Sequence, residues 1–340
     1  MALNNRYEFM FYIEVVNGNP NGDPDMGNAP RMDPEDRHGY ITDVAIKRRI
    51  RNYIQRAYDG YDGMEIIMKN ATIINKEIAR AKEMSDTDSS IKIRDAVYRA
   101  RQKACQLFYD VRTFGAVLSV GPNAGQVRGP VQLTFATSLD EIQQADITIT
   151  RMCKDSELKK DKKKDNERSY EEYLEEEQNI PEKDCRTMGR KQFIPYGLYE
   201  SKGFISANLA CETGFDEEDL KRLFEAILNM YEHDRSASKG MMTVISPLII
   251  FKHVGTDSCE EQRIRQAKLG CASAQQLFSL VHAEKKADVA YPRSIDDYTI
   301  SVHADAVPNG VEIGFLSSPY DEISWGSLPN STCNAVKLYE

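Results

Sequence analysis

Lys47, Arg48, Arg49, Arg51 and Arg56 crowd one short segment that has no acidic residue from Val44 to Arg56. Cations at that density, beside the free amides of a helix start, form a ready binding site for phosphate. Thr42 or Asp43 suits the N-cap of such a helix, and Ile46, Ile50, Tyr53, Ile54 and Ala57 recur at helical spacing to give it a core-facing stripe. The bland alternative is a solvated basic face. Other chemistry-bearing groups are weaker. Asn17, Asn19, Asn21 and Gly22 imitate the opening of a calcium loop, but Asn28 stands where the closing Glu belongs and prolines interrupt the run. His233-Asp234 resembles a metal phosphohydrolase pair, yet His38, His253, His282 and His303 show no ligand spacing, and no nucleophile–His arrangement assembles. No cofactor or metal is expected.

The elements that must hold this basic helix are legible on either side. Tyr7 to Asn17 alternates, with Phe9, Phe11, Ile13 and Val15 on one side and Glu8, Tyr12 and Glu14 on the other, which predicts a half-buried strand. Asn17 to Ile41 carries Pro20, Pro24, Pro30 and Pro34 among four glycines, so it reads as a long loop without regular structure.

Several long words in one order carry a family resemblance. They are Asn17-Gly-Asn-Pro-Asn-Gly-Asp-Pro-Asp25, Pro30-Arg31, Asp33-Pro34 and Thr42-Asp43-Val44 into Lys47-Arg48-Arg49-Ile50-Arg51-Asn52-Tyr53. Phe108 to Ala116, Gly125 to Pro130, Met188-Gly189-Arg190-Lys191, Pro195 to Tyr199 and Glu232 to Ser236 continue the match, which loosens beyond Lys252. The chain resembles the backbone subunit of CRISPR type I-C interference complexes, the Csd-subtype member of the seventh Cas family in the RAMP superfamily. The resemblance implies a non-enzymatic protein that polymerises along guide RNA (crRNA) and presents it to target DNA. It also implies partners: further copies of the chain in a helical filament, a Cas5-like subunit, and the large and small Cascade subunits.

On that reading Lys47, Arg48 and Arg51, with Arg31, Arg128, Arg190, Lys191, Arg235 and Lys239, hold the RNA backbone, while Asn19 and Asn21 hydrogen-bond sugar or phosphate. Backbone contacts accept any spacer sequence. One alternative is the related type III kind of backbone subunit, which cuts target RNA with a loop aspartate; Asp23, Asp25 and Asp33 stand in the same loop. Another is a homo-oligomeric structural protein whose basic helix meets an acidic neighbour.

With 340 residues, 41% hydrophobic, 29% charged and a net charge of −9, the chain is globular and not coated in basic surface. Any nucleic-acid groove must then gather its cations locally. Seven scattered cysteines without a CxxC pair fit reduced thiols. The start runs straight into a strand, and the apolar run Met241 to Phe251 is too short to span a bilayer, so a cytoplasmic protein without membrane contact is expected.

Along the chain, residues 1–57 supply the first strand, RNA-contacting loop and basic helix. Residues 58–110 read as a helical insertion, including Asp88 to Phe108. Residues 111–144 read as a core hairpin, Val111 to Val120 pairing with the strand of Val131, Leu133 and Phe135. Residues 145–202 form a projecting arm, the family's thumb, around a charged and exposed Asp155 to Asp184 insertion with basic Lys159 to Lys164 and acidic Glu171 to Glu177. Residues 203–255 give strand, helix and strand, the helix signed by Asp216 and Asp219 with Phe215 and Leu220 as a staple. Residues 256–340 form an extension, helical to about Val281, then a hairpin from Tyr298 to Leu316 turning at Pro308-Asn309-Gly310. The sum is α+β: a ferredoxin-like or RRM-type β-α-β-β-α-β core with helical and arm insertions, one sheet face under two helices and the other open for a ligand.

Overall fold

The alternating run near the N-terminus does form a strand, β1 (Tyr7–Gly18), but neither of its faces is wet. In the computed structural model, which describes residues 3–85, 92–155, 168–181 and 184–339, Phe9, Phe11, Ile13 and Val15 lie in one core while Met10 and Tyr12 lie in a second on the opposite side. Glu8 is fully buried as well.

The proline-rich stretch after β1 is ordered rather than structureless. It folds into a small hairpin, β2 (Gly22–Asp23) with β3 (Ala29–Pro30), and then β4 (His38–Ile41). The basic helix α1 (Asp43–Ala57) begins at Thr42, whose hydroxyl accepts from the Ala45 N–H. Ile46, Ile50, Tyr53 and Ile54 are buried as expected; Ala57 is exposed because the stripe has turned outward by the last turn. Helices α2 (Ile74–Glu83), α3 (Ile93–Leu107) and α4 (Tyr109–Phe114) follow.

The structure corrects the strand expected over Val111 to Val120. Helix α4 runs to Phe114, where Gly115, in the left-handed region at φ 80°, turns the chain into β5 (Gly115–Val117), paired with β6 (Gln126–Arg128). Gly129 packs against that turn so closely that a Cβ on it would lie 2.2 Å from the Phe114 carbonyl carbon. Strand β7 (Val131–Leu133) pairs with the later long strand instead, leaving Phe135 half exposed.

Strand β8 (Ala136–Glu141) leads to the arm: β9 (Ala145–Arg151), helix α5 (Tyr170–Asn179) and the outer half of β10 (Thr187–Ile205). Seven residue pairs, Ala145–Phe193 through Arg151–Thr187, zip the arm together. At about 3.3 Å per residue it reaches on the order of 20 Å from the core. The acidic half of the insertion is a helix, because Ser169 and Glu172 close a capping box on it; the basic Lys159 to Lys164 run lies outside the described residues. The remaining elements are α6 (Ala207–Thr213), α7 (Glu217–Asn229), β11 (Met241–His253), α8 (Glu260–Leu269), α9 (Ala274–Phe278), β12 (Val281–Lys285), β13 (Tyr298–His303), β14 (Val311–Leu316), β15 (Ser324–Trp325) and β16 (Val336–Tyr339). The Asp216–Asp219 capping box on α7 is present as read from sequence.

The architecture is a mixed helix and sheet fold. The main sheet runs β15-β14-β11-β1-β10-β8-β4, with β1 antiparallel to both β10 and β11, and β10 antiparallel to β8. One face packs under α1 and α7 through Ile46, Ile50, Leu223, Phe224 and Ile227. The other face, expected open, is closed. Leu277, Phe278, Tyr298 and Ile300 of the extension cover Met10, Tyr12, Tyr196, Leu198 and Phe251. The expected Tyr298 to Leu316 hairpin is also absent, since β13 pairs with β12 and β16 while β14 joins β11 in the main sheet. Pro308 to Gly310 thus links two sheets.

A buried polar network staples this cover to β1. Glu8 accepts from Arg6 Nε at 2.6 Å and meets His253 Nε2 at 2.7 Å, while His253 Nδ1 accepts from the Cys271 N–H at 2.8 Å. The backbone donor at Nδ1 places the ring proton on Nε2, so His253 donates to Glu8 as a neutral imidazole.

Close packing across β1 and β10 makes one glycine indispensable. A Cβ at Gly203 would stand 2.1 Å from Phe9 Cζ, in the middle of a fully buried ring. Gly203→Ala is expected to lower stability by about 1–3 kcal/mol, or more if the sheet has to part, read as a shifted urea midpoint.

Candidate nucleic-acid interface

Three segments meet at the Gly18 end of β1: the loop of residues 17–41, the first turns of α1 and the turn of residues 234–240. The Asn19 N–H donates to Ser238 O at 2.8 Å, and the backbones of Gly18 and Lys239 approach so nearly that a Cβ at Gly18 would lie 1.9 Å from Lys239 O. Asn21 and Asn19 are the loop's internal scaffolding. Asn21 Oδ1 accepts from both the backbone N–H and the hydroxyl of Thr42, at 3.0 Å each, which ties the loop to the helix cap. Asn19 Nδ2 donates to Asn28 O at 2.7 Å, closing the β2–β3 hairpin.

The cations of α1 are engaged inside the protein rather than standing free. Lys47 pairs with Asp43 at 2.9 Å and lies over the Phe114 ring. Arg48 donates to Met68 O at 2.6 Å and to Asn70. Arg49 pairs with Asp234, and Arg56 donates to His233 O. Arg51 Nε donates to Asp110 at 2.8 Å; Asp110 is 1% exposed and also accepts from the Ile67 and Met68 N–H groups. Arg51 is therefore a structural cation, and Asp110 is its uncredited partner.

Around Asp234 the charges do not cancel. Arg49 and Lys239 both face this one carboxylate, Lys239 at 3.4 Å. Burial works against ionising Asp234, yet Arg49 and Lys239 together hold its pKa below the ordinary value. Burial, and then repulsion from Arg49, push the Lys239 ammonium down to about 8. Two positive groups on one negative leave a local surplus that an anion would relieve.

The other sequence-selected residues are dispersed. Arg31 pairs with Asp23 at 3.1 Å and belongs to the loop; Arg235 pairs with Glu232 beside the turn. Arg190 and Lys191 stand on the arm, Arg190 at 80% side-chain exposure and 3.9 Å from Asp146. Arg128 is exposed on β6, beside α3 and α6. The structure thus gathers Asn19, Asn21, Arg31 and Lys239, with Arg49 of α1 reaching them through Asp234, whereas Lys47, Arg48 and Arg51 turn to Phe114, Met68, Asn70 and Asp110, and Arg128, Arg190 and Lys191 lie apart.

Two buried polar atoms in the loop have no partner: Asn19 Oδ1, an acceptor, and Arg31 Nε, a donor. The loop aspartates are turn formers. Asp23 Oδ1 accepts from the Asp25 N–H and Asp33 Oδ1 from the Glu35 N–H. Among the described residues, no cluster of three His, Cys, Asp or Glu side chains could hold a metal ion.

A family profile described as CRISPR-associated protein Cas7 matches residues 5–303. The chain belongs to the Cas7 family. A CRISPR-associated protein Cas7 from Haloferax volcanii is 29% identical over 163 residues, 42% of this chain and 46% of that protein, so the match spans less than half of the relative's length. A chain of a CRISPR RNA-guided surveillance complex, pre-nicking, overlays with TM-score 0.43 at 13% identity, over 79% of this chain and 84% of its own. A second surveillance-complex chain gives 0.40 at 11%, over 89% and 90%. The Cas7 profile takes in β1, the ordered loop, α1, the arm and the turn of residues 234–240, and so covers every segment of the candidate interface. No described helix of this Cas7-family chain is long and apolar enough to cross a membrane.

Proposed function

We propose that this Cas7-family chain is a guide-RNA-binding backbone subunit of a type I-C CRISPR interference complex. It polymerises with further copies of itself along the guide and leaves the bases free to pair with target DNA. The observation that carries this reading is the family match over residues 5–303, supported by the cationic surplus where loop, helix and turn converge. Its partners on this reading are guide RNA, target DNA, a Cas5-like subunit and the large and small subunits. The β11-β1-β10-β8 order, antiparallel throughout with α1 and α7 on one face, supports a ferredoxin-like core, here with its second face sealed.

At the interface, phosphates sit against Arg48, Arg49 and Lys239, with Arg31 and Lys47 alongside, and Arg190 and Lys191 reach the strand from the arm. The turn-forming geometry of Asp23 and Asp33 favours the non-cutting reading over the type III kind. The discriminating experiment is incubation of the assembled protein with complementary RNA and Mg²⁺; cleavage that disappears in Asp33→Ala overturns the proposal. Purified protein should also carry nuclease-sensitive RNA that is released by salt, with a log–log slope of about −0.7 per phosphate contacted.

Lys239 makes binding pH-dependent. Its folded pKa lies below the unfolded value, so the free protein loses this charge as pH rises through about 8. A phosphate beside it pulls the proton back. Guide-RNA affinity is then expected to fall above pH 8, by up to about tenfold per unit for one linked proton. Lys239→Arg should flatten that profile in filter-binding titrations. An identical slope in wild type and variant would remove Lys239 from the contact.

A further inference from the structure

Two cysteines face each other on the arm. The ladder between β9 and β10 runs from Ala145–Phe193 to Arg151–Thr187 without a shift of register. Carried on by two residues, that register sets Cys153 opposite Cys185, where the chain leaves for the charged insertion and returns from it. The two chain segments have not parted there. The Thr187 hydroxyl donates to Cys153 O at 3.3 Å, and Arg151 Nε donates to the same carbonyl at 3.0 Å. Opposed residues of an antiparallel pair share one face and have Cα atoms about 4.5–5.5 Å apart, inside the span of roughly 4.4–6.8 Å that a disulfide bridges. Both cysteines accordingly line one cleft, walled by Met152 and by Tyr170, Leu174 and Ile180 on and just after α5. Cys153 is exposed, Cys185 is half-buried, and both are free thiols. The other five cysteines lie on helices or in loops, outside any strand ladder.

We propose that Cys153 and Cys185 form a reversible thiol-oxidation site that staples the outer end of the arm, with a hydroperoxide as its oxidant. The exposed Cys153 sulfur attacks one peroxide oxygen and the O–O bond breaks, which gives a sulfenic acid and one water when the peroxide is hydrogen peroxide. The Cys185 sulfur then attacks the oxidised sulfur; the S–S bond forms, the S–O bond breaks and a second water leaves. Two thiols and one peroxide become one disulfide and two waters, with both thiol protons carried off in the water. A small dithiol reverses the step by exchange, supplying two electrons and two protons as it closes into its own disulfide. The bond fixes the register of β9 against β10 and closes the ring from residue 153 to residue 185. It lies on the arm, away from the loop, α1 and the turn of residues 234–240, and does not rest on the guide-RNA reading.

The test treats the reduced full-length protein with hydrogen peroxide, blocks the remaining thiols with iodoacetamide and maps tryptic peptides without reductant. Trypsin cuts after Arg151, Lys154, Lys183 and Arg186, so the expected product is residues 152–154 joined to residues 184–186, two hydrogens lighter than the separate peptides. Dithiothreitol should restore both thiols. The linked peptide should form at least about tenfold faster in the native protein than in protein unfolded by urea, because the ladder holds the two sulfurs in reach of each other. The exposed Cys211 and Cys259 are internal controls and should be recovered singly alkylated or singly oxidised. Cys153→Ser should abolish the linked peptide, and Cys185→Ser should leave a Cys153 sulfenic acid that dimedone captures. Recovery of Cys153 and Cys185 both alkylated after peroxide, or linked only to other cysteines, overturns the proposal. So does linkage that forms as fast in urea as in the native protein, since the fold would then contribute nothing to it.

Discussion

Asp219→Ala is expected to cost about 3–5 kcal/mol of stability and to uncouple the helical insertion from the sheet. Asp219 and Arg112 form a two-pronged pair, Nε to Oδ2 at 2.7 Å and Nη2 to Oδ1 at 2.8 Å, with both side chains at most 10% exposed. Arg112 Nη1 also donates to Gly63 O and Cys105 O, so it joins α4, the end of α3 and the segment before α2 to the start of α7. Burial opposes the charged guanidinium, but Asp219 outweighs it and raises the Arg112 pKa further. Removing the carboxylate strands a buried cation and takes away the capping-box partner of Asp216 at the same time. Chemical denaturation should therefore show a much lower midpoint. Arg112→Met together with Asp219→Leu should recover part of the loss, because apolar replacement of both partners leaves no buried charge. A midpoint within 1 kcal/mol of wild type for the single variant would refute this account of the joint.

Lys47→Glu with Arg48→Glu is expected to abolish assembly on guide RNA while the monomer stays folded. Each contact from a cation to phosphate is a charge-assisted hydrogen bond of about 1.5–3 kcal/mol, so losing two and adding repulsion lowers affinity by roughly a hundredfold or more. Arg48 leaves Met68 O and Asn70, both exchangeable for water, whereas Lys47, 12% exposed, leaves Asp43 and the Phe114 ring, so the double variant costs about 1–3 kcal/mol of stability and the monomer stays folded. Arg51→Ala is the informative contrast. It strands the buried Asp110 carboxylate, so its RNA defect should come with a loss of about 3 kcal/mol in stability. Native circular dichroism with filaments still forming on guide RNA in the double variant would move the RNA away from α1.

Local pattern made several features legible. The period of two gave β1, Asp216 gave the start of α7, Thr42 or Asp43 bracketed the start of α1, which the structure puts at Thr42, and the lack of apolar residues marked the insertion on the arm. Cationic density on α1 pointed to phosphate chemistry, and the order of motif words pointed to the Cas7 family. Other features had no local signal. Glu8, Tyr12 and Glu14 look like the wet side of a half-buried strand, since nothing near them says that Leu277, Phe278 and Tyr298, far along the chain, will cover that face. Val111 and Val117 suit a strand by propensity, but packing of Tyr109, Val111 and Phe114 into the cores keeps the segment helical up to Gly115.

Charge shows the division most plainly. Composition and spacing determined that Lys47, Arg48, Arg49 and Arg51 would share one helix. Only the tertiary structure decided that Asp110 would neutralise Arg51 and that Asp234 would be shared between Arg49 and Lys239. The physical reason is range. Helix and strand periodicity is set within a few residues by backbone geometry, whereas whether a charge is satisfied depends on carboxylates more than 50 residues away, brought within 4 Å by packing of the core.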